Sequence, residues 1–544
     1  MARTGQDGTG VLRPGAGSMD LRALIAAVAR GEVRAIVEDH RRAGPGRVFV
    51  AIRGHHVDAR RFAAEAARAG CMAVVARGDP PPDWPWQGDS AWVRVGDDRR
   101  ALSRLAAARA GHPSRRLGIT AVTGTNGKTT VTYLLEAILA AAGIPSGRIG
   151  TVEVRVGDRR YPPALTTPDP LTLHRWLGRM HRSGVREVAM EASSHALAQR
   201  RIDDVAVDVA VLTNIRRDHL DYHQSLRAYR DAKGRLFTRV LAGAGAGATA
   251  VLPASEPAAA LFASRTPVPV AWYALADEVA PDRVALTAVA ERPVVRRWGT
   301  RFRLCLPERS VGVDLPLAGR FNVRNALAAA VAARARGVAV DAIVAGLGLA
   351  TGAPGRLEVL YDGEFAVVLD FAHNPDALSE MLMAVRPFVG PGGRLVCVMG
   401  AEGEKDRGKR PLMGEAAGRA ADVLFVTSDS PRGEDPDRIV AQVAAGARRT
   451  AAEVCVDADR RRAIRAAVTT ARAGDVVVVA GRGPETVQVV GGRRLRWSDQ
   501  AAIEGALTTR LPTSARFPPA TAAATKAPCG APPVGGFLLP SANP

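Results

Sequence analysis

Short apolar runs broken by polar and glycine-rich loops set the rhythm of this chain. Between residues 20 and 110 the pattern predicts strands at 47–52, 72–76 and 91–95, a helix at 62–69 and a proline-rich loop at 80–85. Beyond residue 116 the runs become continuous, at 117–122, 185–190, 207–212, 367–370, 395–399, 423–426 and 476–480. Each ends in a polar loop that leads into a helical pattern. Strands that are apolar on both sides and alternate with helices predict parallel sheets covered on both faces. In such sheets ligands bind beyond the carboxyl ends of the strands. Gly and Pro cluster at 349–356, which predicts a break between two sheets. The expected fold class is α/β in three domains: a small one at 20–112, a central one at 113–350 and a C-terminal one at 351–507. Residues 1–19 and the Ala/Pro-rich stretch 508–544 lack periodicity and read as disordered tails.

Composition narrows the function. The chain has 544 residues, 47% hydrophobic and 24% charged, enough for several domains with sizeable cores. No apolar run approaches the roughly 18 residues needed to span a bilayer, so a cytoplasmic protein without membrane insertion is expected. Cys71, Cys305, Cys397, Cys455 and Cys529 are scattered and show neither disulfide nor zinc spacing. The net charge of +20 invites a nucleic-acid reading. Against it, the arginines are dispersed and aromatic residues are only 5%, so no nucleic-acid partner is expected. The basic excess is an arginine excess, because the lysines are Lys128, Lys233, Lys405, Lys409 and Lys526 alone. All but the last fall inside motifs, where a compact or deprotonatable amine does what a guanidinium cannot. The asparagines behave alike: Asn126, Asn214, Asn322, Asn325 and Asn374 lie in motifs and only Asn543 does not.

The strongest motif is the run from Thr123 to Thr130, TGTNGKTT, which follows a strand and opens a helix. Gly124 and Gly127 let the backbone amides of Thr125 and Asn126 close around phosphate, Lys128 neutralises its oxygens, and the hydroxyl of Thr129 or Thr130 reaches Mg²⁺. Glu191 and His219 stand at other strand ends, suitably placed as Mg²⁺ ligands near a bound triphosphate. Lys233 sits on a helix shortly after the Asp218-His219 pair. Asn322 and Asn325 begin a further helix, where they either offer amides to an adenine edge or cap the helix.

These strings, with TTP at 166–168, MEASSHAL, TNIRRDHLDYH, YRDAK, GRFNVRNALAA, GRLE, DFAHNPDAL, DRGKRPLM, DSPR and GRGPE, follow one order over about residues 20–507. In that order the chain resembles the Mur ligases. The resemblance implies a small UDP-binding domain, a central P-loop sheet and a Rossmann-like C-terminal sheet. It further implies ATP-dependent amide-bond formation in peptidoglycan precursor synthesis, through an acyl phosphate, on small-molecule substrates, by a monomer. The acid would be UDP-N-acetylmuramoyl-L-alanyl-D-glutamate and the added amino acid meso-2,6-diaminopimelate, with L-lysine or a different acceptor acid as the alternative.

By the same resemblance, Thr129, Glu191, His219 and a carbamylated Lys233 hold Mg²⁺, while Asn214, Asn322, Asn325, Arg356, Asp370 and His373 lie against the nucleotide. Carbamylation needs a neutral amine, which arginine does not provide. Thr166, Thr167, Ser193, Gln199 and Arg201 match positions that hold the UDP-linked dipeptide. The amino-acid pocket falls on Lys405, Asp429, Ser430, Pro431, Arg432, Gly481 and Glu485. Arg432 suits a distal carboxylate and Glu485 a distal ammonium. Four positions depart from the family pattern. Ser430 replaces an Asn, Lys405 an Arg, Pro484 a His, and His40 the Ser of an Asp-Ser-Arg uridine motif, ahead of the uracil-loop-like run 54–61.

Overall fold

The structure is a computed structural model and describes residues 19–511 apart from 55, 56, 87, 244, 246 and 279–284. His55 and His56 of the uracil-loop-like run, residues 1–18 and residues 512–544 lie outside the described residues. Three sheets carry the fold. The first has four parallel strands in chain order, Ala35–Val37, Arg47–Val50, Ala73–Arg77 and Ala91–Val95. Leu24, Val28, Leu102 and Leu105 of two helices pack on one face of it.

The central sheet has eleven strands. Its parallel block runs Val270–Leu275, Thr249–Pro253, Val209–Leu212, Gly118–Thr123, Glu187–Glu191 and Ser146–Ile149 in spatial order. The first strand of the block, Gly118–Thr123, lies inside it, so the chain departs to one side and later returns to the other. The crevice at that switch receives the phosphate loop.

The sheet is not wholly parallel, as the apolar runs had suggested. Beyond Val270–Leu275 it adds Leu286–Arg296 in parallel, then Gly299–Cys305 and Ser310–Leu315 antiparallel; beyond Ser146–Ile149 it adds Val154–Val156 and Arg159–Tyr161 antiparallel. Gly299–Cys305 has alternate residues Thr300, Phe302 and Leu304 buried and Arg301 and Arg303 exposed. Half-wet strands of this kind show no continuous apolar run.

The third sheet is ordered Glu358–Asp362, Ala366–Leu369, Val476–Val479, Leu395–Met399, Val423–Val426 and Glu453–Val456, parallel except for its first strand. Loops beyond the carboxyl ends of the central and third sheets face each other: Asn374 Nδ2 donates to Asn126 Oδ1 at 3.0 Å and Arg217 Nε to Asp406 Oδ2 at 3.0 Å.

One expectation is corrected and one open choice is narrowed. Helix Asp499–Arg510 continues past residue 507, because Leu507 is buried and Arg510 donates to the carbonyls of Val468 and Thr469. Asn322 and Asn325 do not cap their helix, Arg320–Ala335, whose N-cap is Gly319. The alanine-rich run of that helix is buried in the central core, where small side chains let it lie close to the sheet.

Helix Val340–Gly348 crosses the phosphate-loop helix Lys128–Ala141 just as closely. A Cβ on Gly346 would lie 2.7 Å from Ile138 N and 2.8 Å from Ala137 O, which are backbone atoms unable to rotate away. Helix propensity favours Ala over Gly by about 1 kcal/mol, whereas overpacking costs about 1–3 kcal/mol, so the clash decides. Gly346→Ala should lower the urea midpoint for unfolding; an unchanged or higher midpoint would show that the two helices separate freely.

Candidate active site

Gly124 and Gly127 take φ of 150° and 87° at the turn after Gly118–Thr123. At both, the backbone is approached too closely for a side chain, by Thr213 Oγ1 and by Asn325 Oδ1 respectively. Asn214 braces the loop: its backbone carbonyl accepts from Thr125 N at 2.9 Å, its Oδ1 accepts from Asn126 N at 3.0 Å, and its Nδ2 donates to Asn126 O at 3.2 Å. Lys128 Nζ donates to the carbonyls of Gly124 (3.0 Å) and Thr125 (2.9 Å). Lys233 reaches the same Gly124 carbonyl from another helix, at 2.6 Å. Lys233 is fully buried, and burial together with the charge of Lys128 holds its pKa well below the usual lysine value. Its ammonium lies 4.5 Å from the Tyr229 ring centroid.

Thr129 Oγ1 donates to Glu191 Oε1 at 3.0 Å. Thr151 donates to both oxygens of the same carboxylate, through its N at 2.8 Å and its Oγ1 at 3.0 Å. Arg356 arrives from the C-terminal domain, its Nη2 3.4 Å from Thr129 Oγ1 and its guanidinium 4.2 Å from the Phe371 ring centroid. His219 adopts a left-handed φ of 53° and lies in a cluster with His195, Tyr222, His223 and Tyr229. Burial lowers the pKa of His219 to about 2 and those of His195 and His223 to about 4, so all three rings are neutral near pH 7. A neutral imidazole is the form that binds a metal.

The residues expected around the acid substrate form one connected patch. Thr167 Oγ1 donates to the Glu191 carbonyl at 2.7 Å and accepts from Ser193 N at 3.0 Å; the hydroxyls of Thr151 and Thr166 lie 3.2 Å apart, with Thr166 free to donate to the Thr151 oxygen. Arg201 Nη1 donates to the Thr167 carbonyl at 2.7 Å and Nη2 to Gln199 Oε1 at 2.7 Å. Gln199 Nε2 in turn donates to the Tyr222 hydroxyl at 3.1 Å.

Between the central and C-terminal domains lies a cleft lined by Asn126, Gly127, Asn322, Asn325, Arg356, Phe371 and Met381 among others. Asn322 Nδ2 bonds the Ala318 carbonyl and Asn325 Nδ2 bonds Asn322 Oδ1. Asp370 accepts from Leu357 N and Ala372 N, which makes it a brace for the strand end. His373 stands 3.3 Å from Asp218.

In the expected amino-acid pocket, buried Arg482 draws the parts together. Its Nη1 donates to Asp429 Oδ1 at 2.6 Å and Ser430 Oγ at 2.8 Å, and its Nη2 to the Val487 carbonyl at 2.6 Å. Gly481 takes a φ of 111°, and a Cβ there would lie 3.2 Å from Asp429 Oδ2. Arg432, in a left-handed conformation next to Pro431, pairs with Glu402 (Nε to Oε1, 2.9 Å). Burial, aided by Asp429, raises Glu485 to a pKa of about 7. Lys405 lies 3.7 Å from Asp221 of the central domain.

Arg217, Asp406, Lys409, Glu402 and Arg482 stand in or beside the motif strings, but the sequence reading gave none of them a role in the site. Only Lys409 carried a signal, as a lysine in a chain that prefers arginine. At His40, the ring stacks on Phe62 with centroids 3.8 Å apart.

Three comparisons place this geometry. Residues 122–333 match the Mur ligase middle domain, and residues 355–483 match the glutamate ligase domain of Mur ligases. The chain is 40% identical over 484 residues to the UDP-N-acetylmuramoyl-L-alanyl-D-glutamate--2,6-diaminopimelate ligase of Geobacillus kaustophilus, covering 88% of this chain and 96% of that one. The enzyme of the same name from Brucella melitensis is 40% identical over 483 residues, with 88% and 95% covered. A solved structure of a ligase of that name superposes with a TM-score of 0.60 at 31% identity, covering 88% of this chain and 95% of that chain. A MurF ligase from Thermotoga maritima in complex with ADP shares the fold at 18% identity, with a TM-score of 0.56 over 88% of this chain and 98% of that one.

The buried histidines make acid lability a property of this site. His195 and His223 have folded pKa values near 4, below the ordinary 6.5, so the unfolded chain takes up protons first as pH falls. Their contribution to stability is full above 6.5 and is lost as pH drops toward 4. Urea midpoints measured across that window should fall, and fall less steeply for His223→Phe; parallel profiles would mean that His223 is not buried in neutral form.

Proposed function

Since this chain belongs to the Mur ligase family, we propose that it joins meso-2,6-diaminopimelate to UDP-N-acetylmuramoyl-L-alanyl-D-glutamate with cleavage of ATP. The observation that carries the amino-acid choice is the turn from buried Asp429 to half-buried Arg432, held by Arg482, which also pairs with Glu485 at 3.3 Å. It presents a guanidinium and a carboxyl group at one pocket, complementary to the carboxylate and ammonium at the distal end of diaminopimelate. Two features keep L-lysine as the alternative: Ser430 offers a hydroxyl in place of an amide, and Arg432 is already paired with Glu402.

ATP would take the loop from Gly124 to Thr130, with its base in the cleft beside Asn322, Asn325 and Phe371. The fit is chemical as well as steric, because Arg356 Nε is buried there without a partner among the described residues. Mg²⁺ would be held by Thr129, Glu191 and His219. Among the described residues no group of three His, Cys, Asp or Glu side chains is placed to hold a metal by itself, and magnesium ordinarily keeps phosphate oxygens and water among its ligands. Its role when bound is to offset the charge of two reacting anions. Lys233 as an ammonium is no metal ligand. We propose that its depressed pKa serves carbamylation, which converts it to an anion on the same arm.

The protein's own task is to keep two anions together and then to admit an amine. Lys128 and Arg356 lie where phosphate charge would gather. The acid's carboxylate takes the γ-phosphoryl group and ADP leaves; the amino acid's neutral amine then attacks the acyl carbon, phosphate departs, and the nitrogen sheds a proton. The patch of Thr166, Thr167, Ser193, Gln199 and Arg201 would hold the acid still during both steps.

The test is amino-acid-dependent phosphate release from ATP and Mg²⁺ with the UDP-linked dipeptide, run with diaminopimelate, L-lysine or neither. Release with diaminopimelate and the matching tripeptide mass is expected; release with lysine alone would transfer the assignment to lysine. Arg432→Ala should raise KM for diaminopimelate by about tenfold or more, the scale of one charge-assisted pair, and leave KM for ATP unchanged. Lys233→Ala should slow ligation by about a hundredfold or more while ATP still binds, and bicarbonate-free enzyme should recover activity on adding bicarbonate. Glu485 must be ionised to hold an ammonium, so kcat/KM for diaminopimelate should rise as pH passes upward through about 7; a Glu485→Gln enzyme with the same rise would assign it to another group.

A further inference from the structure

The short turn before His219 meets the C-terminal domain in alternating charges. Arg217 makes a two-pronged pair with Asp406, Nε to Oδ2 at 3.0 Å and Nη2 to Oδ1 at 3.2 Å. Its neighbour Asp218 is paired with Lys409, Nζ to Oδ1 at 3.1 Å, and faces His373 on its other oxygen at 3.3 Å. The order is plus then minus on the central domain, and minus then plus on the C-terminal one. Any shift of the two loops sets like charges together, so the contact specifies a single seating.

Burial grades the two pairs. The side chains of Asp218 and Lys409 are 4% and 8% exposed, whereas Arg217 is 42% exposed. The C-terminal side is preformed: Gly408 N donates to Asp406 Oδ1 at 2.9 Å, and the guanidinium of Arg217 passes close to the Gly408 Cα. Lys409 opens the helix Lys409–Ala420. The next residue, buried Arg410, holds Glu434 and the carbonyl of Glu402, whose carboxylate pairs with Arg432. One rigid piece thus carries both the pocket arginine and the lysine that grips the His219 turn.

We propose that Lys409 is a positioning residue, which with Asp406 latches the C-terminal domain onto Arg217 and Asp218 and thereby sets the place of His219 relative to the amino-acid pocket. This rests on the ligase reading for the reaction it serves, but not for the contact itself. Lys409 acts through Asp218, its ion-pair partner.

The test uses the full-length enzyme with Lys409→Ala, Arg217→Asp, Asp406→Arg and the Arg217→Asp/Asp406→Arg double variant, each checked for cooperative melting. Lys409→Ala should lose about tenfold or more in kcat/KM for the amino acid while ADP affinity stays within about twofold, the split expected of a broken interdomain charge pair. Each single reversal at 217 or 406 should be impaired and the double should recover most of the loss, which general destabilisation would not do. Unchanged kcat/KM in Lys409→Ala, or a double variant no better than its worse parent, overturns the proposal. If the wild type ligates none of the amino acids offered, the ligase reading fails separately. The latch is then read by small-angle scattering of the free proteins, where a larger radius of gyration for Lys409→Ala supports it and an equal radius overturns it.

Discussion

One carbonyl oxygen, that of Gly124, receives the ammonium groups of both Lys128 and Lys233, and the layout of the site follows from that convergence. Two cations so close repel, and burial adds to the cost of keeping both charged. The backbone carbonyl offsets part of this, and a phosphate would offset more. The same carbonyl belongs to a loop that Asn214 ties down at three points, so the cations are set by backbone geometry rather than by flexible side chains. Glycine at 124 is required because Thr213 of the neighbouring strand end packs directly against it.

Around this centre the three sheets play unequal parts. The central sheet supplies the phosphate loop, Glu191 and His219 from beyond separate strand ends, and a helix that follows adds Lys233, which is how a parallel sheet gathers residues distant in sequence. The C-terminal sheet brings Arg356, the cleft wall and the Asp429–Arg432 turn. Neither half is complete alone: Arg356 reaches Thr129, and Asn374 reaches Asn126, across the boundary. A reaction that joins an acid to an amine and expels phosphate needs water excluded, and two facing loop surfaces achieve that on closing.

What the sequence made legible has a physical pattern. Strands buried on both faces, such as Leu395–Met399 and Val423–Val426, are continuous apolar runs and were placed to the residue. The antiparallel edges, such as Gly299–Cys305, alternate with arginine and gave no such run. Within the site, residues sharing a short motif with a glycine turn or a strand end were visible, as with Lys128 and Glu191. Arg217 and Asp406 were not, since a pair separated by 189 positions leaves no local trace. Arg482 was hidden for a different reason: in a chain this rich in arginine, one more arginine carries no contrast, although its burial and its bonds to Asp429 and Ser430 make it the keystone of the pocket.

The scarcity of lysine has a practical side. Every lysine among the described residues lies either at the phosphate loop, as Lys128 and Lys233 do, or in a pair across the central and C-terminal domains, as Lys405 and Lys409 do. The outer surface of those residues is cationic through guanidinium groups alone. Chemistry that seeks primary amines, whether an isotope-labelled methyl tag for spectroscopy or an acylating probe, is therefore confined within the folded body to the reaction centre. Such a tag reports on opening and closing there with almost no background from elsewhere in that body.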